Sequence, residues 1–309
     1  MTFVPLAAKV SASASATRRL PIRVTPFLLL APFLSVFLLF LVVPLVISGY
    51  NSLFVDRLIG GEYFAGLANY AAVFQDGKFW NGMGRIALYG AIVIPVVLGC
   101  ALFLAIALSS GVVKSPAIYR LILFLPYAVP GVVATLLWGF LYGKTTSPAT
   151  SLAAAAGFDL NLLSSTWILP ALANIGLWLY LGYNIAIFTS ALQAIPTELY
   201  EAAAMEGASR FEVARYVQIP LLRPVITLAI VFSIIGNVQL FTEPLVLQPL
   251  TPNVIKDDFT PNLYAYNLIS TGQSLNYVSA LAFTIGALTI VFSGLYLFVS
   301  GRAAQRGVL

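Results

Sequence analysis

Six stretches of this sequence carry no Asp, Glu, Lys or Arg and are long enough to cross a bilayer: 24–55, 86–113, 121–143, 160–197, 224–242 and 259–301. About 20 helical residues span the roughly 30 Å of hydrocarbon in a membrane. Backbone amides find no water there, so each span must satisfy its own hydrogen bonds, as a helix does. The apolar cores predict helices near 27–50, 86–109, 120–142, 167–191, 222–242 and 278–299. Composition agrees. Sixty per cent of the 309 residues are hydrophobic and 9% are charged, where a soluble domain carries about 25% charge. A soluble globule of this size cannot hide so much apolar surface. A typical cytosolic enzyme, a disordered chain and a disulfide-rich secreted module are excluded. The expected fold is an all-α integral membrane bundle of six transmembrane helices. The short stretch 145–158 is also uncharged but rich in Ser, Thr and Ala, and reads as an external segment.

Two absences narrow the chemistry. The chain has no histidine, which removes His-based metal sites, Ser-His and Cys-His nucleophile pairs and His haem ligation. Its single cysteine, Cys100, lies in an apolar run. It cannot form an internal disulfide and is expected to be a small buried hydrophobe. No metal site and no catalytic residue is expected.

Lys and Arg orient the spans. One side holds Lys9, Arg18, Arg19, Arg23, Lys114, Arg120, Arg210, Arg215, Arg223, Arg302 and Arg306; the other holds Arg57, Lys78, Arg85, Lys144 and Lys256. Eleven against five places both termini in the cytoplasm. The net charge of +5 is mostly this topology signal, and no basic cluster suggests a nucleic-acid surface. The basic N-terminus followed by an apolar run resembles the start of a signal peptide. That run is far longer than a signal core, so a retained first helix is expected. Prolines recur within the spans at 32, 44, 95, 126, 130 and 170. Each removes a backbone donor, and the cluster Pro126-Tyr-Ala-Val-Pro130-Gly131 marks a flexing helix. Gly139 and Gly143 have the spacing of a close helix contact. Gly139 to Thr145 is one residue short of a phosphate-binding loop and is read as chance.

Between the fourth and fifth spans lies a polar insert, 195–224, holding four of the eleven acidic residues. A plain connector needs about two to eight residues. Its chemistry predicts two short helices. The first starts after Pro196, with Glu198 and Glu201 where the helix dipole favours negative charge, and stops at Gly207. Ser209-Arg-Phe-Glu212 is a capping box that opens the second. That helix is expected to end near Gln218, because Pro220 disfavours helix at Ile219. Helix, glycine corner, helix makes a compact elbow with mixed apolar and charged faces. Lying on headgroups is the alternative role, but four glutamates are repelled by anionic lipid. A protein partner is favoured.

The insert resembles the coupling motif of ABC importer permeases: Glu-Ala-Ala, three residues, Gly, then a later Ile-x-Leu-Pro. Glu201-Ala202-Ala203 and Gly207 match at that spacing, and Val217-Gln-Ile-Pro220 matches the ending with conservative changes. Glu206 stands where Asp is usual, and Phe211 where Trp often stands. Trp178-Leu-Tyr-Leu-Gly182-Tyr183, Leu192-Gln-Ala-Ile-Pro196 and Leu240-Phe-Thr-Glu-Pro244 are similar to carbohydrate permeases of the maltose-transporter type. The usual Gly-Gly-Pro turn is replaced by Gln248-Pro-Leu-Thr-Pro252.

The resemblance implies a permease subunit of a binding-protein-dependent importer in the bacterial inner membrane, moving a sugar by ATP-driven alternating access. It implies four kinds of contact: a second homologous permease in a heterodimer, two ABC ATPase subunits, an extracytoplasmic sugar-binding protein, and membrane lipid, with no nucleic acid. ATP and Mg then reside on the ATPases and no cofactor on this chain, which is no enzyme itself. Glu198, Glu201, Ala202, Ala203, Gly207, Ala208, Phe211 and Pro220 are the implied ATPase-coupling residues. A cytoplasmic segment 1–25, a permease domain 26–302 and a tail 303–309 follow.

Sugars are held by polar side chains and aromatic faces in a mostly apolar cavity. Polar groups inside spans tend to face the bundle interior. The candidates are Asn174, Trp178, Tyr183 and Asn184 on the fourth span, and Asn237, Gln239 and Glu243 on the fifth. The last three do not share one helical face, so at most two are expected in one cavity. Glu243 lies at the external end, where solvation or contact with the binding protein is the competing role. Glycerol-3-phosphate is a rival cargo, but phosphate favours cations in the pathway and the spans hold none mid-helix. A secondary transporter or channel is a further rival; the expected ion-coupling carboxylates or inverted repeats are not seen.

Overall fold

The computed structural model describes residues 24–57, 61–111, 113–144 and 146–305. Lys9, Arg18, Arg19, Arg23 and Arg306 lie outside them, with most of the expected segments 1–25 and 303–309. The chain divides into two compact units, one ending at Ile47 and the other beginning at Ser48.

The N-terminal run comprises α1 (Val24–Phe37), a π turn at Leu38–Val42 and α2 (Val43–Asn51). Its apolar part, Phe27–Asn51, is long enough to cross a membrane. The π turn has a local cause. Pro44 has no N–H to give the carbonyl four residues back, and the ladder slips one residue, with Val43 N–H on the Leu38 carbonyl.

In the second unit, β1 (Phe54–Arg57) and β2 (Gly61–Phe64) form an antiparallel hairpin, with Phe54 opposite Phe64. The sequence reading had no strand here. Then come α3 (Ala68–Gln75) and α4 (Gly77–Ser109), a 33-residue helix. α5 (Pro116–Phe124) leads through a 3₁₀ turn at Leu125–Ala128 to α6 (Gly131–Tyr142). The two arms meet at 94°. Val129 is extended, as the residue before a proline prefers, and Pro130 is the N-cap of α6. The third expected span is thus a sharply broken pair, broken at the proline cluster. α7 (Pro148–Ala155) follows, within the segment read as external, then α8 (Ile168–Gln193).

The elbow consists of α9 (Thr197–Met205), α10 (Arg210–Val213) and a second π turn at Ala214–Gln218. It runs directly into α11 (Ile219–Val238). The expected stop near Gln218 is therefore corrected. Ile219 is helical, with its N–H on the Ala214 carbonyl. The π slip opens the helix by one residue just before Pro220, as it does before Pro44. Past α11 come α12 (Thr242–Leu247), α13 (Pro261–Ser270) and α14 (Leu275–Gln305). Five helices are long and apolar enough to cross a membrane, and the bent α5–α6 pair brings the number to six among the described residues. This is the expected all-α bundle.

The core is built around α4 against α8. Val93, Val97, Leu172, Ile175 and Leu179 are buried at one level, and Leu98, Ala101, Ala105, Ile185, Phe188 and Leu192 at another. Leu222 and Ala229 of α11 join the second group. A third cluster joins Val73, Phe79, Met83 and Ile86 to Tyr264, Leu268, Val278 and Leu281 of α13 and α14. Cys100 is exposed rather than buried. Its neighbours Val97 and Ala101 take the inward face of α4.

Polar contacts join the loops away from the elbow. Asp76 caps α4 through the amide of Lys78, and accepts from the hydroxyls of Tyr264 at 2.8 Å and Tyr277 at 2.7 Å. Asn276 donates to Asp56 at 3.0 Å, fixing the hairpin to the start of α14. Arg85 donates to the carbonyl of Asp258 at 3.1 Å.

Candidate functional site: a polar cavity joined to a helical elbow

A cavity of about 400 Å³ opens between α4, α8, α11, α12 and the 3₁₀ turn after α5. Five of the seven candidate substrate residues line it: Tyr183, Asn184, Asn237, Gln239 and Glu243. The other two lie elsewhere. Asn174 donates to the Tyr142 hydroxyl at 2.9 Å, and Tyr142 in turn donates to the Ala171 carbonyl. Trp178 packs edge-on against Trp138, with ring centroids 6.0 Å apart. Both serve the packing of α8 against α6.

The expectation that Asn237, Gln239 and Glu243 cannot share a cavity is corrected. It assumed one continuous helix. α11 ends at Val238, Gln239 and Phe241 leave helical geometry, and α12 restarts at Thr242. The interruption turns all three toward the same space. Irregular backbone at membrane depth is tolerated where it lines a cavity.

Five polar lining residues escaped sequence reasoning: Tyr89, Tyr127, Tyr180, Ser233 and Thr242. Tyr180, Tyr183, Asn184 and Ile187 follow the i, i+3, i+4, i+7 spacing of a single helix face, a signal present in the sequence. Tyr127 carried no such signal, because it sits in the break between α5 and α6. Its ring stacks on Tyr183 with centroids 4.9 Å apart and planes 21° apart. Tyr89 reaches α8 at Gly176, where a Cβ would lie 2.7 Å from the phenol oxygen.

Asn184 and Asn237 use their amide N–H groups on the carbonyls of Tyr180 and Ser233, one turn back. Their side-chain oxygens remain available as acceptors. Glu243 is 8% exposed. The cavity thus combines stacked rings, amide and hydroxyl groups and one carboxylate on an apolar wall, an arrangement suited to a polyhydroxyl solute.

The elbow is the second half of the site. Gly207 adopts φ +74°, the left-handed geometry of a helix C-terminal cap. Both bonds of the capping box are present: Glu212 N–H to the Ser209 hydroxyl at 3.3 Å, and Ser209 N–H to the Glu212 carboxylate at 2.7 Å. Ile195 and Leu222 are buried at its two ends and Tyr200 packs beside them, so the elbow is rooted in the cluster shared by α4, α8 and α11. Its outer surface is unusual for a water-facing turn. Met205 is 89% exposed and Phe211 72%, with Leu199 and Tyr216 also exposed. Glu198, Glu201, Ala202 and Gly207 are exposed; Ala203, Ala208 and Pro220 are half-buried.

Comparison with known proteins identifies the family of the chain. A family model described as "Binding-protein-dependent transport system inner membrane component" matches residues 98–305, which include the elbow and most of the cavity wall. The chain is 30% identical over 292 residues to the arabinooligosaccharides transport system permease protein AraP of Bacillus subtilis, covering 92% of this chain and 91% of that one. It is 27% identical over 296 residues to the diacetylchitobiose uptake system permease protein NgcF of Streptomyces coelicolor, covering 90% and 83%. Its fold is similar to that of a bacterial ABC transporter involved in the import of the acidic polysaccharide alginate. That match has a TM-score of 0.77 at 19% identity and covers 90% of this chain and 95% of that one. The chain belongs to the family of binding-protein-dependent transport system inner membrane components.

Proposed function

We propose that this chain forms part of the translocation pathway for a mono-, di- or oligosaccharide, as the permease subunit of an ABC importer. The observation that carries this reading is the joining of a polyol-suited cavity to an elbow with exposed apolar side chains. α8 lines the cavity with Tyr180, Tyr183 and Asn184 and ends at Gln193, just before the elbow. α11 leaves the elbow and reaches the cavity at Ser233 and Asn237. The sugar and oligosaccharide permeases among the relatives support the cargo class.

In this reading Glu198, Glu201, Ala202, Ala203, Gly207, Ala208 and Phe211 sit in a cleft of a separate ATPase subunit, and Pro220 holds the exit of the elbow. ATP and Mg bind to two such subunits and not to this chain. A second, homologous permease completes the pathway as a heterodimer, and an extracytoplasmic binding protein delivers the sugar. The elbow is cytoplasmic, as are both termini. ATP-driven closure of the ATPases biases the bundle between inward- and outward-open states.

The test is crosslinking at the elbow. A cysteine replaces Ala203 in a Cys100→Ala background, because Cys100 is itself exposed, and the ATPase is co-expressed. A crosslink that changes with ATP is expected, together with loss of binding-protein-dependent uptake in Gly207→Pro at normal membrane levels. No crosslink and unaltered uptake in Gly207→Pro would discard the coupling role.

A further inference from the structure

Glu243 is the least conventional group in the cavity. Its residue is 8% exposed, it lines the cavity, and among the described residues no Lys, Arg or side-chain donor bonds its carboxylate. Its own backbone amide is the hydrogen-bond partner it has. The residues lining the cavity include no lysine or arginine. Ionisable groups at membrane depth are costly, and where they persist they pair with something or mark a solute path. Beyond its own backbone amide, nothing among the described residues bonds to this one. The nearby polar neighbours, Tyr89 and Tyr180, lie within electrostatic reach of it yet form no hydrogen bond to it. Removing it would disturb no interhelical contact of the kind that occupies Asn174.

We infer that Glu243 is a charge filter, accepting hydrogen bonds from solute hydroxyls, so that the cavity admits neutral or cationic polyhydroxyl solutes and rejects uronates and phosphate esters. The inference rests on the sugar-permease reading for its cargo class, and its charge component is separable from it. A carboxylate acceptor forms stronger bonds to hydroxyls than a neutral one. When ionised it also repels an anionic solute across the cavity, whose lining holds no compensating cation. The fold imposes no such preference, since it is shared with an importer of an acidic polysaccharide. Selection by charge therefore lies in the side chains of this cavity.

The experiment reads the field first and transport second, on the complete importer in membranes. Ser233, which lines the cavity, is replaced by cysteine in the Cys100→Ala background. Its modification rates are compared for cationic trimethylammonioethyl and anionic sulfonatoethyl methanethiosulfonate. Glu243→Gln is expected to lower the cation-to-anion rate ratio about fivefold or more, while Glu243→Asp, which keeps the charge, preserves it. An unchanged ratio in Glu243→Gln overturns the inference, whatever the importer carries. Uptake is then measured, without the Ser233 replacement, for maltose, cellobiose and diacetylchitobiose against glucuronate and glycerol-3-phosphate. Glu243→Gln is expected to cut uptake of the neutral sugar by about tenfold. Preferred uptake of either anion by the unaltered importer also overturns the inference. A shifted ratio with none of the sugars carried keeps the filter and removes the sugar reading instead.

Discussion

Gly182 is where α8 and the end of α5 come closest. A Cβ there would overlap the carbonyl oxygen of Leu123 and lie 2.6 Å from the Phe124 Cα. Both obstacles are backbone, so no rotamer change relieves them. Gly182→Ala is expected to cost about 3 kcal/mol or more, at the upper end of overpacking effects. It should lower the unfolding temperature of the detergent-solubilised protein, and an unchanged transition would show that the arms of the break yield easily. Asp76 offers a second test. Burial opposes its ionisation, but the hydroxyls of Tyr277 and Tyr264 and the amides of Lys78 and Phe79 donate to it, leaving its carboxyl below the usual 3.8. A carboxyl lowered in the folded state stabilises fully above its unfolded value and loses that contribution as pH falls through the folded one. Stability should therefore decline on acidification below about pH 4. Asp76→Asn retains a capping acceptor but should flatten this decline, and Asp76→Ala should cost about 1–2 kcal/mol at neutral pH. Melting curves across this range check both.

At the scale of elements, the two π turns share one grammar: Val43-Pro44 and Ile219-Pro220 each end a five-residue slip in the helix ladder. The sequence reading treated Pro220 as a stop because it weighed the missing N–H and not the alternative of widening the turn. Local chemistry was otherwise legible in the elbow. Pro196, Gly207 and the Ser209–Glu212 box each act within a few residues, and the structure places each as expected. The six apolar runs were legible too, because the bilayer imposes its length on them. What stayed hidden needed non-local geometry: the 94° break, the interruption at Gln239–Phe241, and the fates of Asn174 and Trp178, decided by the neighbouring α6. Ser209→Ala removes one bond of the box and is expected to cost the second elbow helix about 1 kcal/mol. Amide exchange at Arg210–Val213 should quicken about fivefold while α8 is unchanged. Equal exchange in both proteins would mean that the elbow is held by its root and not by its cap.

Across the whole second unit, helix without a break in the chain direction links the elbow to the cavity. From Arg210 to Val238 the helical path runs through the π turn without a loop, roughly 40 Å at 1.5 Å per residue. The cluster around Leu222 and Phe188 clamps its elbow end, and the other end stops beside Asn237 and Glu243. A stiff rod held at one end carries a displacement to the other, so movement of the elbow need not pass through side-chain relays. Softening the rod between clamp and cavity should therefore uncouple the two ends. Thr227→Gly with Leu228→Gly lies between them, outside the residues lining the cavity, and each glycine weakens a helix interior by about 1 kcal/mol. Binding-protein-stimulated ATP hydrolysis by the assembled importer is expected to fall about tenfold, the factor that about 1.4 kcal/mol represents, with basal hydrolysis and the Ala203→Cys crosslink retained. If stimulation persists in the double-glycine variant, the signal travels instead through α8, whose Gln193 end lies next to the elbow and whose Tyr183 face lines the same cavity.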